Sequence, residues 1–345
     1  MPLSFADEKH LAAIRHSTRD VLKAVLGDEC SDAVLLDTPR HRNAGDSLIW
    51  MGELRYLADL GVNVTYHTDI GRYFAEDLRR ASAGAPVLLQ GGGNFGDLYP
   101  AHDEFRRHII RTLPRRRIIM LPQSMHYEHP RRATAVSADY ASGTNLTILL
   151  RDSVSLAKAL AMLPSADLRF CQDMAFGAPL EDVTAGERCE PLVLNRSDSE
   201  TATGHLDPAC PHTDWSFTSL TRLRWGLLIA AGALYRRSPR SIRRALLPVS
   251  QGANSCCMRL NVGAAVRQFG RATVVATNRL HAHVLSALLG IPHVVTDNSY
   301  GKTAAIYNDY SGRFETAHWA TTLDGAIVAA TNLAGAHATA GPSSA

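Results

Sequence analysis

Pro86-Val87-Leu88-Leu89-Gln90-Gly91-Gly92-Gly93-Asn94-Phe95-Gly96-Asp97 reads as a short apolar strand that runs abruptly into three glycines. A strand with no polar alternation is covered on both faces, which is the signature of a parallel sheet rather than an antiparallel one. Glycine directly after such a strand lets the backbone approach a bound group closely, and a helix N-terminus beyond it favours anions. The stretch formally matches GxGxxG at Gly91, Gly93 and Gly96. A dinucleotide fingerprint, however, wants an acid about 20 residues on, at the end of the next strand. There the chain reads Leu121-Pro122-Gln123-Ser124, with no acid, so a NAD site is rejected. Two readings remain for Gly91, Gly92, Gly93, Asn94 and Asp97: close approach to an anion or a sugar, or a tight turn alone.

Outward from this stretch the first half of the chain alternates strands and helices. Ala33–Leu36 and Val62–Tyr66 read as strands, with a helix from Asp46 to Leu60 between them carrying Trp50, Leu54 and Leu57 at helical spacing. A helix at Asp103–Leu113, strands at Ile118–Leu121 and Leu146–Leu150 and a helix at Asp152–Leu163 continue the alternation. The rhythm loosens over Ala178–Pro191, an interdomain linker by this reading, and resumes at Leu192–Leu194. A long insertion, Asp198–Gln251, precedes a helix at Met258–Phe269, a strand at Thr273–Thr277, a helix at Ala282–Leu289 and a strand at His293–Thr296. The expectation is an α/β protein of two Rossmann-like domains facing a cleft: an N-terminal domain over 1–180, a C-terminal domain over 190–333 and a disordered tail over 334–345. Ligands of open α/β sheets bind outside the C-terminal strand ends, so chemistry is sought there.

Composition narrows the class. Hydrophobic residues make up 46% of the 345 positions and charged residues 20%, enough to bury a sizeable core in two domains. Six cysteines without a CxxC pair argue against a disulfide or zinc framework and for a reducing compartment. The first twenty residues carry Asp7, Glu8, Lys9 and Arg15 and lack a signal-peptide core, and no apolar run approaches about 18 residues. A cytoplasmic protein is expected, with the inner face of the cytoplasmic membrane as the alternative. A net charge of +3 does not suggest a nucleic-acid partner, although Arg115-Arg116-Arg117 and Arg236–Arg244 are locally basic.

Polar groups recur after the strands. Asn43-Ala44-Gly45-Asp46-Ser47 follows the first one; Asp46 or Ser47 can cap the next helix, or Asp46 can present a carboxylate to a substrate hydroxyl. Gln123 and Ser124 follow another, as turn residues or ligand contacts, with His126 close behind. Arg151 ends a strand and can clamp a carboxylate or phosphate with its planar fork, or pair with Asp152 or a neighbouring loop. In Thr277-Asn278-Arg279-Leu280-His281-Ala282-His283, Arg279 and His281 stand two apart at a strand-to-helix junction, and histidine is the natural general acid near neutral pH. Ser299, Gly301 and Lys302 form either an anion site at a helix start or a solvated loop.

Taken in order, Asn43–Ser47, Gly91–Asp97, Leu121–Ser124, Arg151-Asp152, Asp173-Met174, Asn278–His281 and Tyr300-Gly301-Lys302 resemble the polysaccharide pyruvyl transferases across residues 33–310. The resemblance implies a GT-B-like fold, phosphoenolpyruvate as donor and a saccharide acceptor, on a polysaccharide or a lipid-linked precursor. It implies a donor pocket of Arg151, Arg279, Leu280, Ser299 and Lys302, with His281 as the acid. Asp46 would be the acceptor-side base, in a cleft lined by Gly91, Gly92, Gly93, Asn94, Asp97, Gln123 and Ser124. No metal or cofactor is required by this chemistry, because the arginines supply the charge. Two other classes compete: a GT-B glycosyltransferase, which would bind UDP or GDP and ignore phosphoenolpyruvate, and a non-catalytic polysaccharide-assembly protein, which would need neither an acid nor two anion clamps.

Trp225–Tyr235 is apolar, bounded by aromatics and flanked by Arg222, Arg224, Arg236, Arg237, Arg240, Arg243 and Arg244. It is too short to span a bilayer. It reads either as a core helix or as a patch that meets an anionic membrane surface.

Overall fold

A computed structural model of the protein describes residues 3–81, 84–180, 190–195, 213–298 and 301–339. It is an α/β fold with two parallel sheets and flanking helices. The first sheet holds β1 (Asp32–Leu36), β2 (Asn63–Thr68), β3 (Val87–Leu89), β4 (Gly92–Gly96), β5 (Ile118–His126), β6 (Leu146–Leu150) and β7 (Asp167–Phe170). Their spatial order is β2-β1-β3-β5-β6-β7, with β4 paired to β5. Helices α1 (Phe5–Leu26), α2 (Ala44–Asp59), α3 (Ala75–Ala81), α4 (Pro100–Thr112), α5 (Pro130–Ala141) and α6 (Ser153–Met162) connect or precede the strands. Residues 33–36 and 87–89 are fully buried on both strand faces, as the opening stretch predicts. The connections reverse direction between β1 and β3, which is the switch point where an open parallel sheet leaves a crevice at its C-terminal edge.

The second sheet, in the order β11-β10-β9-β8, holds β8 (Glu190–Leu194), β9 (Ala272–Thr277), β10 (His293–Val295) and β11 (Ala317–Trp319). Helices α9 (Leu280–Leu288) and α10 (Lys302–Asp309) join its strands, and α11 (Leu323–Thr339) packs Ala326 and Ala330 on Val274, Ala276 and Val294. The helix α11 continues to Thr339, so the expected disordered tail from 334 is helical over its first residues.

The chain divides into two compact units that are not contiguous in sequence. One joins Ile14–Pro179 to Thr218–Asn261; the other joins Met1–Ala13, Leu180–Phe217 and Val262–Ala345. Two long helices make the difference from a simple split at 180–190: α7 (Ser219–Arg237) and α8 (Arg240–Phe269) fill most of the insertion. Both are anchored to the seven-stranded unit by buried polar contacts. Tyr235 donates to Asp77 at 2.6 Å, and Arg72 donates to Ser250 at 3.3 Å and to Asn254 at 3.0 Å. In the four-stranded unit, Asp7 accepts from the Glu315 backbone N–H at 2.7 Å and ties the N-terminus in place.

Three local expectations change. Gln123 and Ser124 are not loop residues: β5 runs on to His126 because β4 pairs with its second half, and both side chains are buried. Gly92–Gly96 is correspondingly a short strand rather than a loop leading into a helix. Gly96 has φ +136°, and a Cβ there would lie 1.6 Å from the His126 carbonyl oxygen, so only glycine permits this pairing. In α7, Tyr235 faces inward and Arg243 in α8 is buried against Glu76 and Asp77, so neither belongs to the exposed basic flank.

Candidate active site

The crevice beyond β1 and β3 is built first from α2. Asn43 is its N-cap: the side-chain oxygen accepts from the Gly45 N–H at 2.9 Å, and the helix begins at Ala44 rather than at Asp46. Neither Asp46 nor Ser47 is the cap. Asp46 instead sits in the first turn, where the helix dipole favours a carboxylate. It accepts from Asn43 Nδ2 at 2.8 Å and lies 2.7 Å from His41 Nε2, with its side chain 29% exposed. Partial desolvation opposes the His41 imidazolium, and the Asp46 hydrogen bond and charge outweigh it, so the His41 pKa is raised. Gly92, at φ +138°, stands beside Asp46: a Cβ there would lie 3.9 Å from Asp46 Oδ1.

Beneath Asp46 lies a second acid. Glu53, two helical turns along α2, is fully buried and accepts from the Gly91 N–H at 2.8 Å. Its other oxygen has no hydrogen-bond partner among the described residues. Burial pushes its pKa well above the usual carboxylate value. A carboxyl raised in this way binds more protons folded than unfolded. It therefore costs nothing below about pH 4.3, and stability falls as pH rises from there toward its folded pKa. Glu53→Gln is thus expected to match the wild type in acid and to exceed it in stability at neutral pH. Urea unfolding at the two pH values checks this, and equal stabilities at neutral pH would show an ionised Glu53.

At the end of β1, Asp37 adopts φ 64°, is buried, and pairs with Arg106 Nη2 at 2.9 Å and with His102 Nδ1 at 2.6 Å. Arg106 is itself fully buried and donates to both the Asn94 carbonyl and its side chain. Asn94 is thereby fixed by Arg106, and Asp97 by the N–H groups of Glu128 and His129 at 2.7 and 3.1 Å. Gln123 donates to the Gln90 carbonyl, and Ser124 donates to Asp152 at 2.7 Å. Arg151 is 1% exposed and engaged: Nη1 lies 2.7 Å from Asp173 and Nε donates to Ser124 at 2.8 Å. Its partner Asp173 is on the loop after β7, the second of the two pairings that the sequence suggested.

In the four-stranded unit, Thr277 and Val295 are register partners on the neighbouring strands β9 and β10. The turns that follow therefore leave the sheet at one level. Arg279 is the N-cap of α9, Leu280 is buried behind it, and His281 is half-buried in the first helical turn. Arg279 pairs with Asp214 at 2.5 Å and lies 5.9 Å from the Trp215 ring centroid. His283 points the other way and is fully buried. His293 Nδ1 donates to the Ile291 carbonyl at 2.7 Å, so its Nε2 accepts from His283 Nδ1, and His283 Nε2 accepts from Ser311, both at 2.7 Å. Burial lowers both pKa values, that of His293 to about 4, which leaves a neutral, structural chain. Lys302 opens α10 after a left-handed Gly301, but Asp297 already accepts from the Ala304 N–H at 3.2 Å in that first turn. Ser299 and Tyr300 lie outside the described residues.

Sequence reading missed His41, Glu53, Asp37, Arg106 and Asp214. Only Glu53 left a clear signal, an acid on the apolar face between Trp50 and Leu57.

The family model described as polysaccharide pyruvyl transferase matches residues 43–300, a span holding both strand-end clusters. The chain belongs to the polysaccharide pyruvyl transferase family. Pyruvyl transferase 1 of Schizosaccharomyces pombe is 32% identical over 295 residues, covering 80% of this chain and 69% of that protein. EpsO of Bacillus subtilis, provisionally named a pyruvyl transferase, is 27% identical over 308 residues, covering 88% of this chain and 92% of that one. The crystal structure of a functionally uncharacterized protein from Klebsiella pneumoniae superposes with a TM-score of 0.60 at 18% identity, covering 90% of this chain and 99% of that one; it supports the fold alone. The chain is thus an enzyme, a pyruvyl transferase acting on a saccharide acceptor.

Proposed function

We propose that this enzyme takes its pyruvyl group from phosphoenolpyruvate and sets it on two hydroxyls of one sugar as a cyclic ketal, on an exopolysaccharide or its lipid-linked precursor. The supporting observation is the turn after β9, where a guanidinium, a half-buried imidazole and a helix N-terminus occur within three residues. Arg279 takes the donor carboxylate, with Leu280 packed beneath. The first N–H groups of α9 favour the phosphate, and Lys302 adds charge on the neighbouring turn. Ser299 stays in this donor set on the resemblance alone.

His281 protonates the methylene carbon, which becomes the methyl group, and positive charge develops at C2. One sugar hydroxyl oxygen attacks C2, the bond from C2 to the phosphate oxygen breaks, and inorganic phosphate leaves. The second hydroxyl then closes the ring. One hydroxyl proton replaces that given by His281, and the other leaves with phosphate. Asp46, with His41 beside it, is the acceptor-side base. Gly91, Gly92 and Gly93 let the sugar approach; Asn94, Asp97, Gln123 and Ser124 line or brace that side. The proposal calls for no metal, and it places the enzyme in the cytoplasm, where a reducing environment suits its cysteines. The GT-B-like arrangement is part of the same proposal. Its support is that each unit, taken by itself, gathers polar residues on the loops after parallel strands.

Arg279→Ala is expected to weaken phosphoenolpyruvate binding by about 1.5–3 kcal/mol, with incomplete rescue by lysine, which lacks the fork. Arg151→Ala should show mainly as a lower unfolding midpoint, since its guanidinium is buried on Asp173. Calorimetric titration beside thermal melts separates the two, and unchanged affinity in Arg279→Ala removes Arg279 from the pocket. The reaction itself is tested by incubating enzyme and phosphoenolpyruvate with candidate lipid-linked oligosaccharides. Phosphate release matched by a mass gain of one pyruvate less one water is expected. Tight binding of UDP or GDP, without any turnover of phosphoenolpyruvate, would overturn it.

A further inference from the structure

The helices α7 and α8 leave an outer face that the catalytic chemistry does not use. On α7, Leu220, Leu223, Leu227, Ala230 and Leu234 recur at alternating spacings of three and four and are all exposed, the leucines by 57–65%. On α8, Ile242, Ala245, Val249, Gly252 and Cys256 repeat that spacing and are exposed as well. Alternate spacings of three and four put each set on one stripe of its helix. Exposed apolar stripes of this length on a folded protein mark a surface made to be covered.

Charge decides what covers it. Between Ser219 and Phe269 the sequence has nine arginines and no aspartate or glutamate. Arg222, Arg224, Arg236, Arg237 and Arg244 are exposed, whereas Arg243 is spent on Glu76 and Asp77. At about 100° per residue, Arg224 and Arg237 fall on either side of the α7 leucine row. A second copy of the chain is a poor occupant, because self-pairing along these stripes would bring arginine rows together with no acid on either helix to offset them. A surface with an apolar interior and an anionic rim fits both features.

We infer that the outer face of α7 and α8 docks on an anionic phospholipid surface, leucines entering the interface and arginines meeting the headgroups. Docking is peripheral: no helix among the described residues is long and apolar enough to cross a membrane. It is independent of the donor chemistry proposed above.

The test is co-sedimentation of the whole chain with phosphatidylcholine vesicles and with mixed phosphatidylcholine–phosphatidylglycerol vesicles. Partition onto the anionic vesicles is expected to exceed that onto neutral ones by at least about tenfold and to collapse toward ~0.3 M salt. Replacing Arg222, Arg224, Arg236, Arg237 and Arg244 by Gln should abolish the anionic preference. Leu223→Gln with Leu227→Gln should weaken binding to the anionic vesicles at least about fivefold. Melting temperatures close to wild type keep both variants interpretable, since every substituted side chain is exposed. Equal partition onto the two vesicle types, or a preference that survives the Gln replacements, overturns the inference. So does a vesicle-indifferent protein that elutes as a dimer and becomes monomeric on the leucine replacements, which would make the face an interface between copies.

Discussion

Replacing His281 by Ala or Gln is expected to lower turnover by about 10²–10⁴-fold while leaving phosphoenolpyruvate affinity nearly intact. The asymmetry follows from its place. His281 stands in the first turn of α9, two residues after the guanidinium that takes the donor carboxylate, so removing it leaves the anion contacts standing. What is lost is the proton for the methylene carbon, a barrier term rather than a binding term. Single-turnover phosphate release, with deuterium incorporation from heavy water into the new methyl group, reads the step directly. Unchanged turnover and unchanged deuterium transfer in both variants would remove His281 as the proton donor. His283 cannot inherit the role, because both of its ring nitrogens are committed to His293 and Ser311 in the core.

The largest stability effect is expected at Asp37, which no sequence signal marked. Asp37→Ala leaves the fully buried Arg106 without its carboxylate, a loss of about 3–5 kcal/mol for breaking a buried pair. Alanine at φ 64° adds backbone strain of roughly 1–2 kcal/mol. Against a total stability of ~5–15 kcal/mol, this approaches global unfolding. Asp37→Asn, which tolerates the backbone conformation, isolates the charge. Combining it with Arg106→Met should recover part of the loss, because no uncompensated charge then remains buried. Urea unfolding of the two singles and the double closes the cycle. Additive losses would mean that Arg106 does not depend on Asp37.

The strand ends were legible because buried parallel strands advertise themselves as unbroken apolar runs. Thus the α/β class, the turn after β9 and the strand that ends before Gly91 were all read directly. Much of what braces them was not. The Asp37–Arg106 pair lies 69 positions apart, and nothing in either local sequence distinguishes a buried arginine from a solvated one. Arg151 shows the converse: a natural anion clamp in sequence is engaged by Asp173 in the fold, because a guanidinium at 1% exposure requires a partner. The helix α8 was recognised only from Met258 onward, since Pro248 and a run of small residues hide its period before that. The strand read as Ile118–Leu121 in fact runs to His126, across a proline at which a strand is expected to break. The β5 pairing shifts register between Met120 and Gln123, which accommodates the proline.

The discontinuous make-up of the two units sets a timetable for the nascent chain. The seven-stranded unit cannot seat α7 and α8 until residue 261 has left the ribosome, so Arg72 and Asp77 wait beside an incomplete face. Residues 1–13 belong with strands that are made much later, and the Asp7 contact needs Glu315. At roughly 5–20 residues per second, the N-terminal turns of α1 remain undocked for tens of seconds. During that interval these turns are open to chaperones and proteases, and they are captured only once Glu315 has emerged.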